Sequence, residues 1–354
     1  MTEAGRAAVL AIDGGNSKTD VALIGADGRV LAAVRGGASN HQVVGRANAL
    51  AVLTELVRSA AEQAGLPASG VIAGHTSACL AGADLPEEEA ELGEVIQVQG
   101  WSQTSTVVND TFAVLRAGLA DDGAGVSRPG ASRPGASRHW GIGVVCGAGI
   151  NCVGVAPDGR TTRFLALGQI SGDWGGGGSL GPEALWWAIR AEDGRGPETE
   201  LRTAVPAHFG LDRVEDVVIG LHLDKISYAE QHGLVPVLFK VAGDGDEIAR
   251  SIVLRLADEI CVMATVAATR LGLTEPAGPG SGPVPVVLGG SLMTARDPLL
   301  SAAIARKLAA DIPDSDVRIV DVPPVAGAAL LGLDQVGAPS AAAARLRESA
   351  ASTW

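Results

Sequence analysis

Near the start of this 354-residue chain, residues Ala11 to Asp20 read AIDGGNSKTD, and this segment gives the main indication of the fold class. Its glycines, lysine and hydroxyl residues are typical of a phosphate loop, but their spacing is not the GxxxxGK[ST] of a Walker A motif. Apolar residues before it and after it predict two strands, so the glycines lie in a hairpin turn. Glycine backbone there lets N–H groups approach phosphate oxygens, which favours phosphate binding over a plain turn. The predicted phosphate-binding residues are Gly15, Asn16, Ser17, Lys18 and Thr19.

The second half of the chain repeats the plan of the first. In the first half, an Asp-Gly turn at 27–28 leads to a third strand over 30–34. In the second half, a strand over 140–146 is followed by the turn Gly147-Ala148-Gly149, a strand over 151–155, an Asp-Gly turn at 158–159 and a strand over 161–165. The repetition, at a length that suits two domains, predicts two α/β lobes with a cleft between them.

Composition limits the class of protein. Apolar residues make up 47% of the chain and charged residues 19%, which is typical of a globular fold. A net charge of -13 and an isoelectric point near 4.9 argue against nucleic acid and anionic membranes as partners. The apolar run before Asp13 is too short for a signal or a membrane span, so a cytoplasmic location is expected. The four cysteines form no CxxC pair and are predicted to be small core residues.

Further along the chain, polar residues follow predicted strands, which is where α/β sheets bind ligands. Strands over 71–73 and 105–108 lead into Gly74-His75-Thr76-Ser77 and Asn109-Asp110, and a strand over 284–288 leads into Gly289-Gly290-Ser291. Asp110 is either a catalytic carboxylate at a strand end, which would accept the proton of a hydroxyl nucleophile, or the N-cap of a helix over 111–120, and the two roles are compatible.

Two glycine-rich runs need a separate interpretation. Gly176, Gly178 and Gly181 fit GxGxxG, but no buried strand precedes them, so a dinucleotide site is rejected and a flexible loop with hinge glycines is predicted. The repeated SRPGA unit within 127–138 cannot form a core and is predicted to be a surface loop, in preference to a basic docking segment.

The order and spacing of five blocks carry a family resemblance. They are the first glycine turn, Ser39-Asn40-His41, Asn109-Asp110, the second glycine turn with GQISGDWG at 168–175, and Gly289-Gly290-Ser291. In these blocks the chain resembles the actin, heat-shock-70 and sugar-kinase superfamily, within it the N-acetylglucosamine kinase and BadF/BadG branch, and most closely the actinobacterial glucosamine kinases. The resemblance implies a two-lobed actin-like ATPase fold of duplicated ribonuclease-H-like domains with an interlobe cleft. It places the first lobe at 1–115, completed by a helix at 334–354, a loop at 116–139 and the second lobe at 140–333.

The same resemblance implies a set of site residues with ATP and Mg²⁺ as cofactors. Asp110 would be the catalytic base, and Asp13 would hold Mg²⁺ through water, since magnesium retains much of its hydration shell. The second phosphate motif would be Gly147, Ala148 and Gly149, and the adenosine motif Gly289, Gly290 and Ser291. The sugar-binding residues would be Asn40, His41, Asn109, Asp110, Gln169 and Asp173.

The implied activity is ATP-dependent phosphorylation of the 6-hydroxyl of D-glucosamine. N-acetylglucosamine is the alternative acceptor. A BadF-like activator ATPase is less expected because no convincing cluster-ligating cysteine pair is present, and a sugar-responsive repressor is least expected because the chain starts at the phosphate strand and has no CxCGxxGC motif. By analogy with related kinases, a homodimer is expected.

Overall fold

Two five-stranded sheets of identical topology form the framework of the protein. The computed structural model describes residues 6–120, 139–274, 282–320 and 322–353. The strand orders are β3-β2-β1-β4-β5 in the first sheet and β10-β9-β6-β7-β8 in the second. Each sheet therefore has a three-strand antiparallel meander extended by two parallel strands on the edge of its first strand. The predicted duplicated α/β fold is confirmed.

The first sheet and its helices are built from the N-terminal third of the chain. Its strands are β1 (Ala7–Gly14), β2 (Thr19–Ile24), β3 (Val30–Gly36), β4 (Ala73–Leu80) and β5 (Ser102–Asn109). Its helices are α1 (His41–Val44), α2 (Arg46–Gln63), α3 (Pro86–Val98) and α4 (Asp110–Gly118). Apolar side chains of β1 and β2 pack on both faces, because alternate residues enter one core with α2 and another with the C-terminal helices.

The second sheet carries a larger helical layer. Its strands are β6 (Gly141–Cys146), β7 (Ile150–Val155), β8 (Thr161–Arg163), β9 (Val284–Gly289) and β10 (Ser315–Ile319). Its helices are α5 (Gly177–Glu192), α6 (Leu201–His208), α7 (Val214–His222), α8 (Leu234–Gly243), α9 (Glu247–Arg270), α10 (Ser291–Thr294) and α11 (Pro298–Asp311), with short 3-10 turns at Gly168–Ser171 and Tyr228–Gly233. The four cysteines are free and buried, as predicted.

The C-terminal end of the chain returns to the first sheet earlier than expected. Helix α12 (Pro324–Gln335) buries Val325, Leu330 and Leu333 in the core that contains Val9 and Ala11 of β1. Helix α13 (Ser340–Thr353) joins the same core. The segment that completes the first lobe therefore starts at residue 324 and not at 334, because the apolar face of α12 matches β1.

Other element boundaries in the structure also differ from those predicted from the sequence. Strand β4 runs on to Leu80, so residues 74–77 lie inside the strand and not at its carboxyl end. Helices α1 and α2 are separated at Gly45, whose φ is 80°. Helix α4 extends to Gly118, so the predicted loop does not start at 116, and residues 121–138 with the SRPGA repeat lie outside the described part of the chain.

The GxGxxG run is helical, which corrects the prediction of a flexible loop. Gly177 opens α5, and Gly177 and Gly181 are buried. A Cβ on Gly181 would lie 2.1 Å from the carbonyl oxygen of Gln231. Gly177 and Gly181 therefore permit close packing of α5 against the segment around Gln231. Within the described residues, no helix has the length and apolar character needed to span a membrane.

Candidate active site

The first glycine turn closes the β1–β2 hairpin as predicted. Gly14 pairs with Thr19, and the Gly15 N–H donates to the Lys18 carbonyl at 2.9 Å. Asn16 and Ser17 at the tip are exposed. The hydroxyl of Thr19 is buried and donates within the protein, at 2.7 Å to the carbonyl of Gly37. The tip residues are thus available to a ligand, whereas Thr19 anchors the turn.

A buried carboxylate holds two cations beside this turn. Asp20 on β2 accepts from Lys18 Nζ at 2.6 Å and from Arg35 Nε at 2.6 Å. Burial raises the pKa of Asp20, but the hydrogen bonds from Arg35 and Lys18 outweigh it and the net pKa is lowered. Asp13, Asp20 and Arg35 are opposite each other across three adjacent strands, so their side chains share one face of the sheet. The turn therefore presents positive charge next to Asp13.

The second glycine turn, at 147–149, is enclosed by two other backbone segments. Gly147 N–H donates to the Gly149 carbonyl at 2.9 Å, while the carbonyl oxygens of Gly147 and Ala148 accept from the first N–H groups of α5. A Cβ on Gly290 would lie 2.3 Å from the carbonyl oxygen of Cys146. The predicted adenosine motif at 289–291 and the second turn therefore lie side by side, with Ala148 and Gly149 exposed at the tip.

Asp110 lies in the first turn of α4, where it is not the N-cap. Asn109 is the N-cap, because its side-chain oxygen accepts from the Thr111 N–H at 3.0 Å. Burial raises the pKa of Asp110 to about 6, against hydrogen bonds from Thr111 that lower it. The local sequence left the helix cap and the catalytic base as open alternatives for Asp110, and the structure assigns the cap to its neighbour, Asn109.

Asp13 is also a buried acid. Burial, followed by the charge of Asp110, raises the pKa of Asp13 to about 7, while Lys18 and Arg35 oppose that rise. In the described residues no three His, Cys, Asp or Glu side chains are grouped to hold a metal. The carboxyl of Asp13 beside the first glycine turn nevertheless fits Mg²⁺, which binds through one or two carboxylates, phosphate oxygens and water.

Asn109 connects the two lobes. Its Nδ2 donates to Asp84 Oδ1 at 2.9 Å, and its Oδ1 also accepts from Asn151 Nδ2 on β7 at 3.1 Å. These bonds, with the helix cap, occupy both accepting positions of Oδ1 and one of the two N–H donors. Asn109 was predicted to bind sugar, and its side chain is largely engaged in holding the structure together.

Asn40 and His41 lie next to the first turn. Asn40 is buried, caps α1 and donates to Asn16 Oδ1 at 2.6 Å. His41 and Ser39 line a small pocket between α2 and α3, whose other walls are mostly apolar. The pocket's lining also includes Ala81, whose N–H donates to the Gly14 carbonyl at 2.7 Å, so the pocket adjoins the end of β1.

Gln169 and Asp173 belong to the loop that starts at Gly168. Gln169 is exposed, and Asp173 accepts from Ser171 Oγ at 2.5 Å within the loop. No hydrogen bond among the described residues joins either side chain to the first lobe. Ile170 in the same loop is 88% exposed, so this loop presents unpaired polar and apolar groups to solvent.

Several functional candidates were missed by sequence reasoning. They are Arg35, Asp84, Glu89, Asn151 and Arg163. Burial, followed by the charge of Asp110, raises the pKa of Asp84 to about 7, so Asp84 belongs to the same acidic cluster as Asp110. Asn151 begins the strand predicted after the second glycine turn, but its role depends on contact with Asn109, and no local pattern signals that contact.

The duplicated sheets, the two glycine hairpins and the acids beside them define a two-lobed actin-like ATPase. The family model for the BadF/BadG/BcrA/BcrD ATPase family matches residues 10–332, and the chain belongs to that family.

Named relatives fall in the same group. The chain is 24% identical to an N-acetyl-D-glucosamine kinase of Dictyostelium discoideum, over 92% of this chain and 97% of the relative. It is 29% identical to an N-acetylmuramic acid/N-acetylglucosamine kinase of Clostridium acetobutylicum, over 71% and 76%. A crystal structure from Chromobacterium violaceum, which bears a provisional N-acetylglucosamine kinase name, covers 92% of this chain and 98% of its own at 24% identity with a TM-score of 0.65. The predicted closeness to glucosamine kinases stays a prediction.

Proposed function

We propose that this protein is an ATP-dependent hexosamine kinase that phosphorylates the 6-hydroxyl of an amino sugar. The observation that carries the proposal is Asp110, a carboxyl with a pKa raised to about 6, in electrostatic range of Asp13 beside the first glycine turn. Phosphoryl transfer needs a group that orients the hydroxyl and accepts its proton. With this pKa, Asp110 is mostly ionised at neutral pH and is a stronger base than an ordinary aspartate.

Phosphate binding would come from both lobes. Exposed backbone N–H groups at the tips of the two turns, with the ammonium of Lys18 and the guanidinium of Arg35, supply donors and positive charge. Asp13 would hold Mg²⁺ through water, and Mg²⁺ when bound offsets the charge on the β- and γ-phosphates. The adenosine would lie at 289–291, next to the second turn.

Glucosamine is the proposed acceptor, and N-acetylglucosamine is the second candidate. A cationic amine at C2 requires an acidic partner, and the carboxyl of Asp84 lies in the cluster with Asp110. An acetamido methyl requires an apolar pocket, and the pocket beside His41 offers Leu50, Leu53 and other apolar side chains. The names of the relatives favour the second acceptor.

A second candidate function, an activator ATPase that carries an iron-sulfur cluster, is less well supported. Such a cluster needs thiolates accessible to an interface. All four cysteines are buried. Burial raises the pKa of Cys146 to about 12, so its thiol stays protonated at neutral pH and is a poor cluster ligand. The kinase proposal therefore comes first.

A coupled assay of ADP formation with glucosamine, N-acetylglucosamine, glucose and mannose tests the proposal. The larger kcat/KM of the two amino sugars identifies the acceptor, and sugar-independent ATP hydrolysis alone would contradict a kinase. Asp110→Asn should lower kcat by roughly 10² to 10⁴ with nearly unchanged ATP affinity. Asp193→Asn, in an exposed ion pair with Arg195, is the matched control. A D110N enzyme within about threefold of wild type would remove Asp110 from the mechanism.

A further inference from the structure

Two side chains of the second lobe reach across to the strand end that carries Asp110. One is Asn151 on β7, which donates to Asn109. The other is Arg163 at the end of β8, whose NH2 donates to Glu89 Oε2 at 2.6 Å and whose NH1 donates to the carbonyl of Asp84 at 3.4 Å. Both contacts join the meander of the second sheet to the β4–α3 and β5–α4 junctions of the first lobe.

Glu89 links Arg163 to the backbone of Asn109, the residue before Asp110. While Oε2 binds Arg163, Oε1 accepts the N–H of Asn109 at 3.1 Å. The side chain of Glu89 is 16% exposed and that of Arg163 is 29% exposed, so the ion pair is mostly removed from water. A pair in this setting is screened less than a surface pair, and removing one partner leaves the other charge poorly solvated.

The residue held by Glu89 is the cap of the catalytic helix. Asn109 donates its backbone N–H to Glu89, and its side-chain oxygen accepts the Thr111 N–H of α4. Asp110 lies between these two anchored positions. A shift of Asn109 would therefore move the first turn of α4, and with it the carboxyl of Asp110.

We propose that Glu89 and Arg163 are positioning residues that hold Asp110 in register with the second lobe. The proposal rests on the proposed function, because it takes Asp110 as the base. The ion pair forms only when β8 lies against the β4–α3 junction, so it couples the arrangement of the lobes to the placement of the base. Neither side chain touches the reacting groups in this proposal, and both act through Asn109.

Mutant kinetics test the coupling. Arg163→Ala and Glu89→Gln should each lower kcat about 10- to 100-fold, with KM for ATP within about threefold, because a misplaced base affects the chemical step more than nucleotide binding. The double variant should lose no more than the worse single variant, since both remove one interaction. Arg163→Lys, which keeps the charge, should recover part of kcat.

The matched control is Arg160→Ala in the preceding hairpin turn. Arg160 pairs with Asp158 inside that turn, so its removal should leave kcat unchanged. Additive losses in the double variant, or an Arg163→Ala kcat within about twofold of the control, would overturn the proposal. If Arg163→Ala does not fold, the kcat values of Arg163→Lys and Glu89→Gln still test the proposal.

Hydrogen exchange gives a readout that does not depend on catalysis. In the protein without substrate, the Asn109 amide should be protected in wild type and in Arg160→Ala. It should exchange faster in Glu89→Ala, which removes its acceptor, and in Arg163→Ala, which releases Glu89. Unchanged exchange in both would overturn the proposal. If wild type phosphorylates no sugar, the proposed function fails, while the exchange result still reports on the ion pair.

Discussion

The ammonium of Lys18 lies 2.6 Å from Asp20, so the lysine of the first glycine turn is held by a carboxylate of the adjoining strand. The side chain of Lys18 is 41% exposed, and that of Asp20 is 1% exposed. The same carboxylate binds Arg35 from β3. Asp20 thus fixes the direction of two cations on the face of the sheet that carries Asp13.

Asp20→Asn should weaken ATP binding. The amide cannot pair with both cations, so Lys18 and Arg35 become mobile, and we expect KM for ATP to rise about 10-fold. Stability should fall by about 1 to 3 kcal/mol, since two partly exposed cations lose their buried partner. Initial-rate kinetics and urea unfolding measure the two effects. The control is Asp27→Asn, because Asp27 of the β2–β3 turn forms an exposed ion pair with Arg345 of α13. Equal effects of both substitutions would argue against a role for Asp20 in nucleotide binding.

Activity should depend on the ionisation of Asp110. Its pKa is raised from 3.8 to about 6, and the base must be unprotonated, so kcat/KM should fall as the pH drops through about 6. An aspartate of ordinary pKa would leave the rate flat to about pH 5. Rates at saturating MgATP across this range provide the measurement. Because the amine of glucosamine titrates itself, the profile should be repeated with an acceptor that lacks an amine, and a flat profile there would contradict the assignment.

Asp13 should lower the free energy of unfolding at neutral pH although activity requires it. An unfolded aspartate ionises near its ordinary pKa of 3.8, whereas burial keeps folded Asp13 protonated up to about 7, so the unfolded state is favoured increasingly as pH rises between these values. Asp13→Asn should therefore raise the free energy of unfolding at pH 7.5 by about 1 to 4 kcal/mol, and by less at pH 5. Thermal unfolding without nucleotide at both pH values measures this. The substitution should also lower activity, and an equal gain at both pH values would contradict the burial argument.

Gly290 should not tolerate a side chain. Its φ of 93° is a left-handed conformation, and a Cβ would lie 2.3 Å from the Cys146 carbonyl oxygen. Gly290→Ala should cost about 2 kcal/mol or more and should raise KM for ATP by displacing the second turn. Gly243→Ala, at the end of α8 with no atom within 4 Å of the added Cβ, is the control and should not lower stability. Calorimetry and ATP kinetics compare the two, and matching results would contradict the close-packing argument.

Features that are local along the chain could be predicted from the amino-acid sequence. The two glycine hairpins and the order of strands follow from apolar runs interrupted by turn residues, and these patterns need no distant partner. The same signals could not show that Gly177 starts a helix, because its packing partner, His232, is distant in sequence.

The contacts that hold the site together arise from the packing of distant segments and could not be predicted from the sequence. Strand register places Arg35 opposite Asp20. Packing of the two lobes places Arg163 next to Glu89, and Asn151 next to Asn109. Residues far apart in sequence carry no periodic signal of such contacts, since a salt bridge depends on where two surfaces meet. For the same reason, Asn109 matched a sugar-binding position by motif, and its bonds in the folded chain give it a structural role beside Asp110.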